Sequence, residues 1–184
     1  WSDGELLWRV QGPDLDGGKM RVTPDGQFVV AAGILGVRVL RSSDGSLVHT
    51  FEADSGYVHG FAVTPEGRFL AVPTSGTNIE MWRLPDLVLN HTVTLQSGSI
   101  RYMRLTPDGQ RIVVLGDDET VRMWRLSDGY LAESLMLVAY DSAVELLSAV
   151  PGGEIVVAAH ADGTVKAWRL SDGTYSWSHT APGG

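Results

Sequence analysis

One phrase occurs four times in this chain. TPDGQFVVAAG, from Thr23 to Gly33, returns as TPEGRFLAVPT from Thr64, as TPDGQRIVVLG from Thr106 and as VPGGEIVVAAH from Val150. Three copies run on to Trp-Arg-Leu, at Trp82, Trp124 and Trp168, and Leu40 holds the Trp position of the first copy. Registered on Pro24, Pro65, Pro107 and Pro151, the repeats are 41, 42 and 44 residues long. A period of that size means small supersecondary units that bury their faces against one another. Asp3 stands as far before Pro24 as Asp44 stands before Pro65, so Ser2, Asp3 and Gly4 read as the tail of a truncated fifth copy.

Each copy divides into four short strands. The first alternates, as in YVHGFAV from Tyr57 and SIRYMRL from Ser99. It ends at Pro-Asp-Gly or Pro-Glu-Gly, where Pro suits the second turn position and Asp-Gly closes a tight hairpin. The second strand is a continuous apolar run, such as Ile112 to Leu115 or Ile155 to Ala158, and is expected to be buried on both faces. A polar turn follows at Asp117–Glu119 and Ala161–Gly163, then Thr-Val-x-x-Trp-Arg-Leu from Thr120 and Thr164. Ser-Asp-Gly makes the next turn, before a more polar fourth strand such as SLVHTF from Ser46. Four strands with turn chemistry between each pair predict an antiparallel meander. Central strands buried on both sides require these small sheets to stack face to face, as blades of an all-β propeller.

The expected blades are 18–53, 57–95, 99–138 and 143–181, all within one propeller segment of residues 1–184. Residues 1–11 are expected to form the outer strand of the truncated repeat. Four copies leave two terminal blades with apolar faces, where a stack of this kind needs caps. The expectation is a fragment of a larger propeller; the alternative is a half-propeller that pairs with a second copy to close a ring.

With 184 residues and 43% hydrophobic content the chain can bury a sizeable core. The net charge of −8, without any Lys/Arg run, argues against nucleic acid and anionic membrane as partners. The chain has no cysteine, which excludes disulfides, Cys-ligated zinc and thiol catalysis. No stretch approaches the roughly 18 apolar residues of a membrane span, and no signal peptide is visible. The expected compartment is the cytoplasm. The chain opens on Trp1 rather than Met, however, so any targeting segment would be out of view.

The residues offer little catalytic chemistry. His49, His59, His91, His160 and His179 lack the spacings of a metal pair, so no metal or cofactor is expected. Asp25, Asp44, Glu66, Asp86, Asp108, Asp117, Asp118, Asp128, Asp162 and Asp172 fall in turns, which accounts for them. Neither a nucleophile elbow nor a phosphate loop occurs. Arg38, Glu80, Arg122 and Lys166 share one repeat position, two before the Trp, and suggest an inter-blade ion-pair ladder.

The phrase, the Asp-Gly-Thr-Val-x-x-Trp run at Asp162–Trp168, and Trp-Arg-Leu-Ser-Asp-Gly from Trp124 and Trp168 resemble the WD-repeat β-propeller family over essentially the whole chain. The copies depart from it. Arg83, Arg125 and Arg169 replace the Asp of Trp-Asp, and the Gly-His before the first strand is missing. The resemblance is to degenerate repeats such as those of bacterial WD modules. It implies that Trp82, Trp124 and Trp168 pack between blades, and that Asn78, Asp118 and Asp162, without the family His, act as ordinary turn formers. It also implies that partners dock where the first strands begin. Those positions, seven and five before the Thr or Val of the Pro turn, include Tyr57 and His59, Ser99 and Arg101, and Ala143 and Glu145. Tyr57, His59, Arg101 and Glu145 are the candidate contacts for a protein partner. The expected function is a non-catalytic protein–protein interaction scaffold. The alternative is an enzymatic propeller, quinoprotein-like or lactonase-like, which would need metal ligands converging at the channel mouth.

Overall fold

The computed structural model describes residues 6–9, 19–33, 36–52, 60–84, 86–95, 99–118, 120–127, 130–138, 144–150, 154–169 and 171–180. They form four sheets. Blade 1 comprises β1 (Met20–Val22), β2 (Phe28–Gly33), β3 (Gly36–Arg41) and β4 (Leu47–Glu52). Blade 2 comprises β5 (Ala62–Val63), β6 (Phe69–Ser75), β7 (Asn78–Arg83) and β8 (Val88–Thr94). Blade 3 comprises β9 (Ile100–Leu105), β10 (Arg111–Gly116), β11 (Thr120–Ser127) and β12 (Tyr130–Val138). Blade 4 comprises β13 (Val144–Ala149), β14 (Ile155–His160), β15 (Thr164–Arg169) and β16 (Tyr175–Thr180). Within each blade the strands pair antiparallel in chain order. Between blades, β5 lies beside β9 and β9 beside β13, so the first strands share one inner side of the stack.

The central strands alternate their burial between two neighbours. On β10, Ile112 and Val114 join a core with Phe69, Ala71, Ile79 and Met81 of blade 2. Val113 and Leu115 on the same strand join Val156, Ala158 and Trp168 of blade 4. On β6, Leu70 and Val72 pack against Phe28, Val30 and Val39 of blade 1. Period-two alternation thus places each blade between two apolar faces, which is why its second strand is apolar throughout. Blade 4 is different. Val156, Ala158 and His160 are buried, but Ile155, Val157 and Ala159 on the opposite face are only half-buried.

The repeated tryptophan has a fixed place. Trp82 stands opposite Leu70, Trp124 opposite Ile112 and Trp168 opposite Val156. Leu40 stands opposite Val29 in the same way. In blades 2 to 4 this position faces the preceding blade. The pairing with the fourth strand shifts register at this position in every blade, a bulge that belongs to the repeat rather than to the ring, since Leu40 has it too.

The segment at 1–11, expected to be an outer strand, is described only at 6–9, where it is irregular. A strand needs a paired edge, and none of the described strands pairs with these four residues. Trp8 instead anchors them, with its Nε1 donating to the Ser42 carbonyl at 2.8 Å. Leu6 and Leu7 stay exposed.

Candidate functional site

The turns account for most of the carboxylates. Asp25 Oδ1 accepts from the Thr23 hydroxyl at 2.5 Å and from the Gln27 amide at 3.0 Å. Asp108 accepts from the Thr106 hydroxyl and, at 3.0 Å, from the Gln110 amide. Asp118 Oδ1 accepts from the amide and hydroxyl of Thr120 at 3.1 and 2.6 Å, and its Oδ2 from Arg122 at 2.7 Å. Asp162 accepts from the Thr164 amide at 2.8 Å, and Asp172 from that of Thr174 at 2.9 Å. Asn78 accepts from the Thr94 hydroxyl at 2.8 Å. Each carboxylate therefore closes its own hairpin.

These bonds hold the acids ionised. The Thr23 hydroxyl, then the Gln27 amide, lower the Asp25 carboxyl below its ordinary value. Burial pushes Asp108 up, but Thr106, Gln110 and Arg111 together outweigh it and leave the carboxyl lowered. The Thr164 amide lowers Asp162 in the same way. None of these groups is suited to carry a proton at neutral pH, as a general acid must. A cavity of about 580 Å3 lies between blades 3 and 4 and is lined by Asp108, Arg111, Glu154 and Arg169 among others. Its charges are balanced, and its Asp108 belongs to a turn. Among the described residues no three His, Asp or Glu side chains converge as a metal site would require.

Trp124 and Trp168 are buried, and Trp82 is partly buried. The Trp82 ring lies 5.1 Å from that of Phe51 and 5.8 Å from that of His49, and its Nε1 donates to Glu80 at 2.9 Å. His49, which the sequence offered only as a histidine without a metal-pair spacing, thus belongs to an aromatic group across the first interface. Glu80 and Arg122, two members of the expected ladder, both engage partners in their own blades.

Of the four candidate contact residues, Arg101 is exposed near the start of β9. Glu145 lies on β13, while its side chain, Tyr57 and His59 lie outside what the structure describes.

A neighbouring group escaped the sequence reading. It occupies the positions four and two before the Thr or Val of each Pro turn: Lys19 and Arg21 in blade 1, Gly60 and Ala62 in blade 2, Tyr102 and Arg104 in blade 3. Lys19 Nζ sits 4.2 Å from the Tyr102 ring centroid and the Arg104 guanidinium 4.5 Å from it. Arg104 Nη2 donates to the Tyr102 hydroxyl at 2.5 Å. A groove of about 270 Å3 adjoins them, lined by Arg21, Arg104, Phe61, Val63, Pro24 and Pro65 among others. The signal was in the repeat register, but these positions lie three residues further along the chain than those that were read.

Comparison with known proteins agrees with this architecture. Residues 88–125 match the family model described as WD domain, G-beta repeat. The match runs from β8 of blade 2 through β9 and β10 to β11 of blade 3, so the sequence unit is offset from the blade. Among solved structures, the chain is similar to the β-propeller domain of Cps50 (Swd1) from Myceliophteria thermophila, with a TM-score of 0.79 at 11% identity. That likeness covers 97% of this chain and 59% of the other, so the chain spans less than two thirds of that chain's length. No curated protein matches the sequence.

Proposed function

We propose that this β-propeller, which carries a WD repeat at residues 88–125, is a non-catalytic scaffold that binds another protein. The observation that carries the reading is the commitment of the acids: Asp25, Asp108, Asp118, Asp162 and Asp172 each bond the backbone amide of their own turn. What remains for function is the surface where the inner strands begin, with the exposed Arg101 on it. Arginine is among the residues enriched at binding hot spots. Propellers in general present this kind of rigid rim, although fold alone does not assign a role.

The test pairs capture with a metal titration. Immobilised protein and its Arg101→Glu variant are used to capture partners from a lysate of the source cells. The expected result is a specific protein retained by the native chain and lost with the variant, at unchanged thermal stability. A rise of several degrees in Tm with calcium or zinc, accompanied by turnover of ester or lactone substrates, would overturn the scaffold reading in favour of an enzymatic propeller.

A further inference from the structure

Two tryptophans outside the repeated position close one and the same phrase. Ser-Asp-Gly-x-x-x-Trp occurs at Ser2–Trp8 and at Ser171–Trp177, while the other copies place His49, His91 and Glu133 at that final position. Blade 1 shows what a residue there does. His49 lies 5.8 Å from the Trp82 ring of blade 2, and its strand neighbours Val48 and Phe51 share a core with Leu84 and Leu87 in the turn after β7. The outer strand of one blade thus covers the third strand and the following turn of the next.

Trp8 touches the same two turn positions one blade earlier. Ser42 and Gly45 stand in blade 1 where Leu84 and Leu87 stand in blade 2. The Trp8 Nε1 donates to the Ser42 carbonyl at 2.8 Å, and a Cβ on Gly45 would come within 2.7 Å of the ring. Bulk is exchanged across the junction. Blade 2 offers Trp82 and Leu87 to a histidine, whereas blade 1 offers Leu40 and Gly45 to a tryptophan. Exchanges that conserve volume in this way preserve packing. Blade 1 therefore carries a seat cut for an indole ring.

Trp177 is a second ring of the same kind. It pairs with Ala167 on the face of blade 4 opposite to Val156, Ala158 and Trp168, which pack on blade 3, and it is 44% exposed. Val157 lies in the same row, and with Ile155 and Ala159 it is only half-buried.

We propose that the seat on blade 1 is a self-association site, filled within the chain by Trp8, and that Trp177 of a second copy is its other occupant. Setting this face of blade 4 against the Leu40-bearing face of blade 1 continues the plan of the internal interfaces, so the contact is head-to-tail. Val29, Ala31 and Leu40 of blade 1 are buried in the single chain, so a second copy has to take over cover that the chain now provides itself. Trp8 is tethered to blade 1 by its own backbone, which gives it an effective concentration on the order of millimolar. A second copy at micromolar concentration does not match that. The Trp8 segment thus keeps the chain single by occupying the seat first.

The test is the mass of the full chain by sedimentation equilibrium across micromolar concentrations. The native chain should stay a monomer. Trp8→Ala should associate, with its weight-average mass at least doubling, and Trp8→Ala combined with Trp177→Ala should return to the monomer. Should Trp8→Ala fail to fold, Trp8→His, which supplies the residue that blades 1 and 2 carry there, should associate with the same dependence on Trp177. A peptide of residues 171–180 should suppress the association, whereas the same peptide with alanine for Trp177 should not. The proposal falls if the Trp8 variants stay monomeric, if they associate without Trp177, if the native chain associates as readily as they do, or if both peptides act alike. Arg101 lies on the inner strand of blade 3, so partner capture through it survives any of these outcomes.

Discussion

At Thr106 a single buried hydroxyl organises a whole turn: it donates to Asp108 and accepts from the Arg111 amide at 3.0 Å. Thr23 does the same for Asp25 and the Phe28 amide. In the fourth copy Val150 takes the Thr position and is exposed. These clamps make stability depend on acid. Asp25, Asp108, Asp162 and Asp172 all have carboxyls lowered from an ordinary value of 3.8 in the folded state. A lowered folded value means stabilisation that is present above the unfolded value and lost as pH falls through the folded ones. Urea midpoints should therefore hold steady from neutrality to about pH 5, the upper edge of such carboxylate transitions, and decline below it. Asp108→Asn should show a shallower decline than the native chain. An unchanged slope would mean that the turn carboxylates contribute nothing.

The hairpins interlock from blade to blade at a glycine. Gly26, Gly67 and Gly109 have φ of 71°, 72° and 68°, the left-handed region that the Pro-Asp-Gly turn requires. A Cβ on Gly109 would come within 2.3 Å of Pro65 Cδ, and one on Gly67 within 3.2 Å of Pro24 Cδ, whereas one on Gly26 would meet nothing within 4 Å. Gly26→Ala should thus cost only backbone strain, about 1–2 kcal/mol. Gly109→Ala should cost more, because it also drives a methyl into the proline of the preceding blade. Equal losses in chemical denaturation would refute the interlock. The turn after β7 solves the same problem without glycine: Leu87 takes φ of 50° in the place that Gly45 and Gly173 fill in blades 1 and 4. Hairpins and strand edges were readable because turn chemistry is local. Residues 6–9 pair with no described strand, and the outer strand expected over 1–11 was read from the register of Asp3, which does not itself supply a partner edge.

Each interface between described blades is built to one plan, with the Trp-bearing face of a blade set against the apolar face of the blade before it. Trp168→Ala should cost about 3–5 kcal/mol in unfolding free energy, as removal of a buried aromatic does. Trp177→Ala, at a side chain 44% exposed, should stay within about 0.5 kcal/mol, as surface changes do. Comparable losses would mean that the repeated ring is not central to the interface. This plan was legible because the repeat puts the same residue type at the same phase. The cluster of Lys19, Tyr102 and Arg104 was not, because it joins different residue types across blades 1 and 3, and no single copy contains it. Uniform joins have a consequence for inheritance. A stretch of gene encoding one repeat could be duplicated or excised in frame without requiring a kind of contact the molecule lacks, so lineages can change the number of copies in whole steps while each copy drifts separately. What such a step would put at risk is the feature that spans several copies, the contacts of Lys19 and Arg104 with the Tyr102 ring.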